Sequence, residues 1–121
     1  MGSTTHQETT RTFTATAVAI VAYRLVALQS SGLVQVTGDN STDVVAGVTV
    51  DSCAASGNVA VKLRSSGGTA EIMTNGDAIA VADLVYSDAT GKIGTDSTNV
   101  LVGYALQASS ADGDVIEILL T

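Results

Sequence analysis

The chain has 121 residues, enough for one domain with a modest core and too few for two. Twelve acidic residues against five basic ones leave a net charge of −7, so the Lys/Arg footprint that nucleic acid or an anionic membrane surface requires is missing. One Cys and one His exclude an internal disulfide framework and a zinc ribbon, and leave little for His-based catalysis.

Residues 1–12 are polar, without apolar periodicity, and read as a flexible N-terminal arm ahead of a single β domain at 13–121. The stretch Ala15–Leu28 is apolar, but Arg24 interrupts it and it is too short to span a bilayer. Glu8 and the lack of Lys or Arg in residues 1–10 argue against a signal peptide, which points to a cytosolic setting or a particle assembled there. Accordingly Asn40-Ser41-Thr42 reads as a turn and not as a glycosylation site.

From Phe13 onward, short runs of Val, Ile, Leu and Thr alternate with clusters of Gly, Asn, Asp and Ser, the rhythm of an all-β chain. Eight strands are predicted: Arg24–Leu28, Leu33–Thr37, Val44–Val50, Asn58–Arg64, Thr69–Met73, Leu84–Tyr86, Val100–Gln107 and Asp114–Leu120. Turn signals separate them, among them Ser31-Gly32, Gly38-Asp39-Asn40, Asn75-Gly76-Asp77 and Thr90-Gly91. In Asn58–Arg64, Val59, Val61 and Leu63 share one face, the pattern of a half-buried strand. In the last strand Ile116, Ile118 and Leu120 lie on one face, with Val115 and Leu119 on the other beside Glu117. Such a strand is central or lies against a partner subunit, which makes Ile116, Ile118 and Leu120 candidate subunit contacts. Helix has one opening, a single turn around Gly76–Leu84.

The chain also repeats itself. Gly47-Val48, Gly57-Asn58-Val59 and Leu63 align without gaps on Gly103-Tyr104, Gly113-Asp114-Val115 and Leu119, at an offset of 56 residues. Upstream, Leu25-Val26, Gly32 and Val34 align on Leu84-Val85, Gly91 and Ile93, at an offset of 59. Two four-strand meanders, about 24–63 and 83–119, would make a pseudo-twofold small barrel or sandwich.

Few residues offer chemistry. His6 stands alone in the polar arm without an orienting partner. Cys53 has only Asp51 nearby, and a thiolate needs a cation or a helix N-terminus. Asp39-Asn40-Ser41-Thr42-Asp43 begins like a calcium loop, but Val44 replaces the Gly at position six and no Glu stands at position twelve. Twelve acids scattered among turns nominate no catalytic pair and read as solubilising charge. Lys92, at the turn Thr90-Gly91-Lys92, sits where lipoyl and biotinyl carrier domains bear their cofactor, although the acidic or Met neighbours usual there are missing. A carrier domain modified at Lys92 and a generic trimeric adhesion or fibre module are therefore the alternatives to a structural role.

The run Asp83-Leu84-Val85-Tyr86-Ser87-Asp88-Ala89-Thr90-Gly91-Lys92-Ile93 is followed by Val102-Gly103-Tyr104-Ala105-Leu106, then Gly113-Asp114-Val115 and a closing apolar strand. In this order they resemble the capsid decoration (cement) proteins of tailed bacteriophages. Gly47-Val48 and Gly57-Asn58-Val59 look like that family's first such hairpin, and the likeness covers most of residues 13–121. Two positions depart from the pattern: Ala82 stands where the family usually has Gly, and the last strand lacks the usual Arg before its Leu. The resemblance implies a small β-barrel or β-tulip-like sandwich on the outer surface of the virion head. It implies no enzyme activity, no cofactor and no metal, and a homotrimer bridging neighbouring major capsid proteins. Within that picture the Thr-rich arm is the expected capsid contact, through Thr4, Thr5, Thr9, Thr10, Thr12, Phe13 and Thr14 with Thr16 beyond, by adding a strand to a capsid edge.

Overall fold

A computed structural model describes residues 9–38 and 43–121. They form β1 (Thr10–Thr14), β2 (Leu25–Leu28), β3 (Val34–Val36), β4 (Val45–Thr49), β5 (Asn58–Leu63), β6 (Thr69–Asn75), β7 (Leu84–Ser87), β8 (Ile93–Gly94), β9 (Leu101–Ala105) and β10 (Asp112–Leu120). The expected all-β class is observed, with ten strands where eight were predicted. The two extra ones are instructive. β8 is only two residues long, and β1 is made of polar Thr and Arg residues whose alternation around Phe13 is too short to register as a pattern.

The first five strands pair in the order β1-β5-β4-β2-β3, and the last five close into a barrel in the order β10-β6-β8-β7-β9. Read from β6, the barrel runs β6-β10-β9-β7-β8, so both halves have one topology. The seam matches too: a parallel pair Thr74↔Ile93 closes the second barrel, and a single parallel bridge Ala15↔Val34, 59 residues earlier, closes the first. Even the irregularities recur. Both β2 and β7 slip register against their partners, between Val26 and Ala27 and between Val85 and Tyr86. Each repeat is thus a five-strand barrel and not a four-strand meander, because β2 lies between β3 and β4 and the N-terminal strand completes the unit.

One part of the sequence alignment needs correction. The gapless offset of 56 puts Val59 on Val115, but the inward side chains are Val59 and Val61 in β5 and Ile116 and Ile118 in β10, an offset of 57. A bulge between Asp112 and Val115 supplies the extra residue. Since side chains alternate with period two, a slip of one residue would have turned the whole face outward, and the bulge restores it.

Glycine is required where the strands approach most closely. A Cβ on Gly47 would collide with the Lys62 carbonyl of β5, and one on Gly103 with the Leu119 carbonyl of β10. No helix forms around Gly76–Leu84. There Ile79 bridges Ser109 in extended conformation, just as Ile20 bridges Cys53. The short 3-10 turn Arg64–Ser66 and the left-handed Gly67 and Gly68 (φ 69° and 76°) link the barrels. Arg64 fastens this link by donating from Nη2 to the Leu101 carbonyl (2.6 Å) and from Nε to the Thr121 carbonyl (3.3 Å).

Phe13, Ala15, Ile20, Val26, Val34, Val59 and Val61 fill the first barrel. The second core holds Ile72, Ile79, Val85, Ile93, Val102, Ile116, Ile118 and their neighbours, together with Leu25, Val45 and Val48 from the first unit. Those three sit between inward-facing neighbours on β2 and β4, so they belong to the outer face of the first barrel, where the second barrel covers them. The contact is sealed by the turn between β7 and β8: Leu25 donates to the Gly91 carbonyl (2.6 Å), Arg24 Nη1 to the Thr90 carbonyl (3.0 Å), and Thr37 Oγ1 to the Asp88 carbonyl (2.9 Å). The twofold reading of the repeat does not extend to this contact. Gly91 is packed against Leu25 and Val36, whereas its counterpart Gly32 has nothing within 4 Å of where its Cβ would be.

Candidate functional site

The expected arm divides at β1. Thr4, Thr5 and His6 lie outside the described residues. Thr10, Thr12, Phe13 and Thr14 lie in β1 and pair with Lys62, Ala60, Val59 and Asn58, so this stretch is already a strand of the sheet, bonded to β5 along one side. Thr9 is held as well, its carbonyl accepting from the Leu63 amide (2.8 Å), and Thr16 donates its amide to Val34 (3.0 Å). Phe13 is core, with the Arg11 guanidinium 4.9 Å from its ring centroid. Residues 10–14 are therefore already part of the sheet, because the repeat needs β1 where the second unit has β6.

Ile116, Ile118 and Leu120 are also reassigned. They are buried inside the second barrel, at 4%, 0% and 7% exposure, and face its core. The outward side chains of β10 are Glu117 and Leu119. Leu119 faces Tyr104 on β9, and Tyr104 faces Leu84 on β7. Leu84, Tyr104 and Leu119 are 41%, 43% and 43% exposed, a row of large apolar side chains on neighbouring strands, with Leu106 and Val81 also exposed. Sequence periodicity flagged both faces of this strand as apolar, but only the closure of the barrel decides which face is inside.

Beside this row Glu117 stands directly opposite Glu71 on β6, both exposed. A second apolar stretch is the β1–β2 connection, where Val18, Val21 and Tyr23 are exposed. Its counterpart between β6 and β7 carries Val81 and Ala82, and the paired positions Tyr23 and Ala82 both adopt left-handed backbone (φ 65° and 75°). The Gly that the resemblance expects at 82 has its physical reason in this conformation.

The remaining candidates have structural partners. Lys92 Nζ is paired with Asp112 Oδ1 at 2.9 Å, and its side chain is 17% exposed. A carrier lysine must swing into another protein's active site, whereas this one is clamped beside the inter-barrel turn. Asp88 Oδ1 orders that turn by accepting from the amides of Thr90 and Lys92 and the Thr90 hydroxyl. Cys53 is half-buried against the first core. Asp43 Oδ2 accepts from the Gly38 amide (2.8 Å), while Asp39 and Asn40 to Thr42 lie outside the described residues. Asp114 Oδ2 accepts from Ser109 Oγ (2.9 Å), which in turn meets Thr74 Oγ1 at 3.2 Å. Ser109 and Asp114 line a shallow groove of about 500 Å³ without a basic side chain among its walls. Among the described residues no group of three His, Cys, Asp or Glu gathers as a metal would need, and no helix is long and apolar enough to cross a membrane. The side-chain hydroxyl of Thr98, followed by its amide, holds the Asp96 carboxyl below its ordinary pKa at an exposed loop.

The described residues thus form two joined barrels whose named polar groups serve turns and seams and whose exposed surface carries an apolar row. The sequence matches the family described as phage cement protein over residues 4–120, and the chain belongs to that family. Among solved structures it resembles the N base of the head fiber gp8.5 of bacteriophage phi29, with a TM-score of 0.71 at 20% identity, covering 93% of this chain and 94% of that one. No curated protein matches it.

Proposed function

We propose that this chain binds the outer surface of a phage head as a homotrimer, bridges neighbouring major capsid subunits and stabilises the shell. The family match across nearly the whole chain carries this reading. Supporting it are the exposed apolar row and the polar groups committed to turns and seams. Many modest contacts acting together stiffen a shell without any one of them being strong. The residues ahead of β1, with Thr4 and Thr5, add to the contact by extending a strand onto a capsid edge. Net negative charge argues against nucleic acid and anionic membrane as partners.

Quantitative mass spectrometry of gradient-purified particles tests the role: abundance near that of the major capsid protein is expected, and absence from particles would overturn it. Deletion of residues 2–8, which leaves β1 whole, tests the segment. Reduced binding to heads with unchanged melting is expected, and full binding would remove the segment from the contact. A second reading, as the base of a head fibre, is favoured by the likeness to the phi29 base across both chains. Electron microscopy of particles would separate the two, since a fibre base must carry density projecting from the site.

A further inference from the structure

β6 is bonded along one side only over most of its length. In its pairing with β10, Leu120 donates to the Gly68 carbonyl, so by the alternation of an antiparallel ladder Ala70 and Ile72 also turn their backbone groups toward β10. The odd-numbered residues turn theirs away. Glu117, opposite Glu71, has the matching parity: its carbonyl accepts from the Leu106 amide and its amide donates to Gln107 Oε1, both on the β9 side. On its other side β6 meets β8 at the single pair Thr74↔Ile93, and the Met73 amide donates to the Tyr23 carbonyl of the first barrel (3.0 Å). Thr69 and Glu71 are left with two amides and two carbonyls that have no partner among the described residues.

These edge groups border a cleft of about 350 Å³ between the barrels, lined by Tyr23, Val50 and Lys62 from the first and by Thr69, Glu71 and Glu117 from the second. Tyr23 and Val50 are 37% and 49% exposed and give it an apolar wall. An unpaired strand edge beside apolar side chains is what an added strand needs: hydrogen bonds for affinity and a surface for alternate side chains. The Met73–Tyr23 bond shows that backbone from outside the second barrel already fits against this edge.

Charge selects the occupant. Glu71 and Glu117 form a pair that exchanges no backbone hydrogen bonds, the kind whose side chains come closest, and both are exposed. A cation set between them turns their repulsion into attraction. The chain has no uncommitted Lys or Arg to supply it. Its five are Arg11, Arg24, Lys62, Arg64 and Lys92. Arg11 lies over Phe13, Arg24 and Arg64 donate to carbonyls, Lys62 Nζ donates to Ser66 Oγ and the Gly67 carbonyl, and Lys92 pairs with Asp112. Residues 1–8 carry Glu8 and no Lys or Arg, so neither this chain's N-terminal residues nor those of a second copy provide the charge. We propose that the cleft receives an extended segment of a different protein, added as a strand to β6 with a Lys or Arg between Glu71 and Glu117. This deepens the proposed function and rests on it for the partner, which is then the capsid.

The test is hydrogen exchange of the full chain, free and bound to purified phage heads lacking it, read by mass spectrometry with fragmentation that resolves the Thr69 and Glu71 amides. Both should exchange fast in the free chain and about tenfold or more slower on heads. Unchanged exchange on heads would overturn the site and leave the capsid role standing, whereas failure of the chain to bind heads would overturn both. Slow exchange already in the free chain would mean that its own residues or a second copy fill the cleft, which also overturns the proposal. Glu71→Pro removes an amide that β10 does not use, at an edge where proline is tolerated. It should bind heads about tenfold more weakly with an unchanged circular dichroism spectrum. Glu117→Lys should melt no lower than the wild type yet also bind about tenfold more weakly, and it decides the matter alone if Glu71→Pro does not fold. Binding of a folded variant as tight as wild type would overturn the proposal.

Discussion

Gly91 and Gly32 occupy equivalent turns with nearly the same left-handed φ, 78° and 85°, so substituting each with Ala imposes nearly the same backbone strain, about 1–2 kcal/mol. Their surroundings differ. An added Cβ at Gly91 would lie 3.0 Å from the Leu25 carbonyl oxygen and 3.1 Å from Val36 Cβ, whereas at Gly32 it would meet nothing within 4 Å. Overpacking of this kind costs about 1–3 kcal/mol, and the 2.6 Å bond from the Leu25 amide to the Gly91 carbonyl stands to lengthen as the turn is pushed away. Gly91→Ala should therefore destabilise the chain by about 1–3 kcal/mol more than Gly32→Ala does. With an unfolding entropy near 0.25 kcal/mol/K for a chain of this size, that is about 4–12 °C between the two melting temperatures. Thermal denaturation followed by circular dichroism, at concentrations too low for self-association, measures the difference. Equal melting temperatures for the two variants would mean that the Gly91 turn does not hold the barrels together, and the one-sided joint would fall with it.

Three further outcomes follow from named residues. Ala82 is exposed and left-handed, so Ala82→Gly should stabilise the chain by about 0.5–1 kcal/mol, the relief of strain less the added flexibility of the unfolded chain, seen as a rise of about 2–4 °C in Tm. Glu117 opposes Glu71 across the β10–β6 pair, and Glu117→Lys should turn a cross-strand repulsion into an attraction of about 0.2–1 kcal/mol, raising Tm at low salt and less so at high salt. Because the Asp96 carboxyl is held below its ordinary pKa, it contributes stability above the unfolded-state pKa and loses it as pH falls through the folded value. Thr98→Ala should move that pKa back up, as read by carboxyl chemical shifts, and reduce stability at neutral pH but not below both pKa values; an unmoved titration would discount the hydroxyl.

Much of the fold is local and was legible. The alternation in Asn58–Arg64, the turn glycines and the recurrence of Gly47 at Gly103 all follow from side chains and backbone angles within a few residues of one another. The register of β10 was not legible, since the bulge after Asp112 is placed by its pairing with β6, nearly 40 residues away in the chain. Nor was β1. A run such as Thr-Arg-Thr-Phe-Thr is equally apt as a solvated arm or an edge strand, and only the need to cover β5 decides between them.

The candidate surface divides along the same line. Sequence alone determined the chain's composition-level character: acidic, all-β, duplicated, built of small apolar residues, without an assembled catalytic set of residue types. It also marked both faces of the last strand as apolar. Tertiary structure decided which of those faces is core, burying Ile116, Ile118 and Leu120 and leaving Leu119 outside with Leu84 and Tyr104. It likewise decided that Leu25 is covered while its repeat-mate Leu84 is not. The two residues have the same identity and the same place in equivalent strands of the two barrels. What differs is whether another barrel lies over them, and that is fixed by long-range packing, which no local pattern of residues encodes.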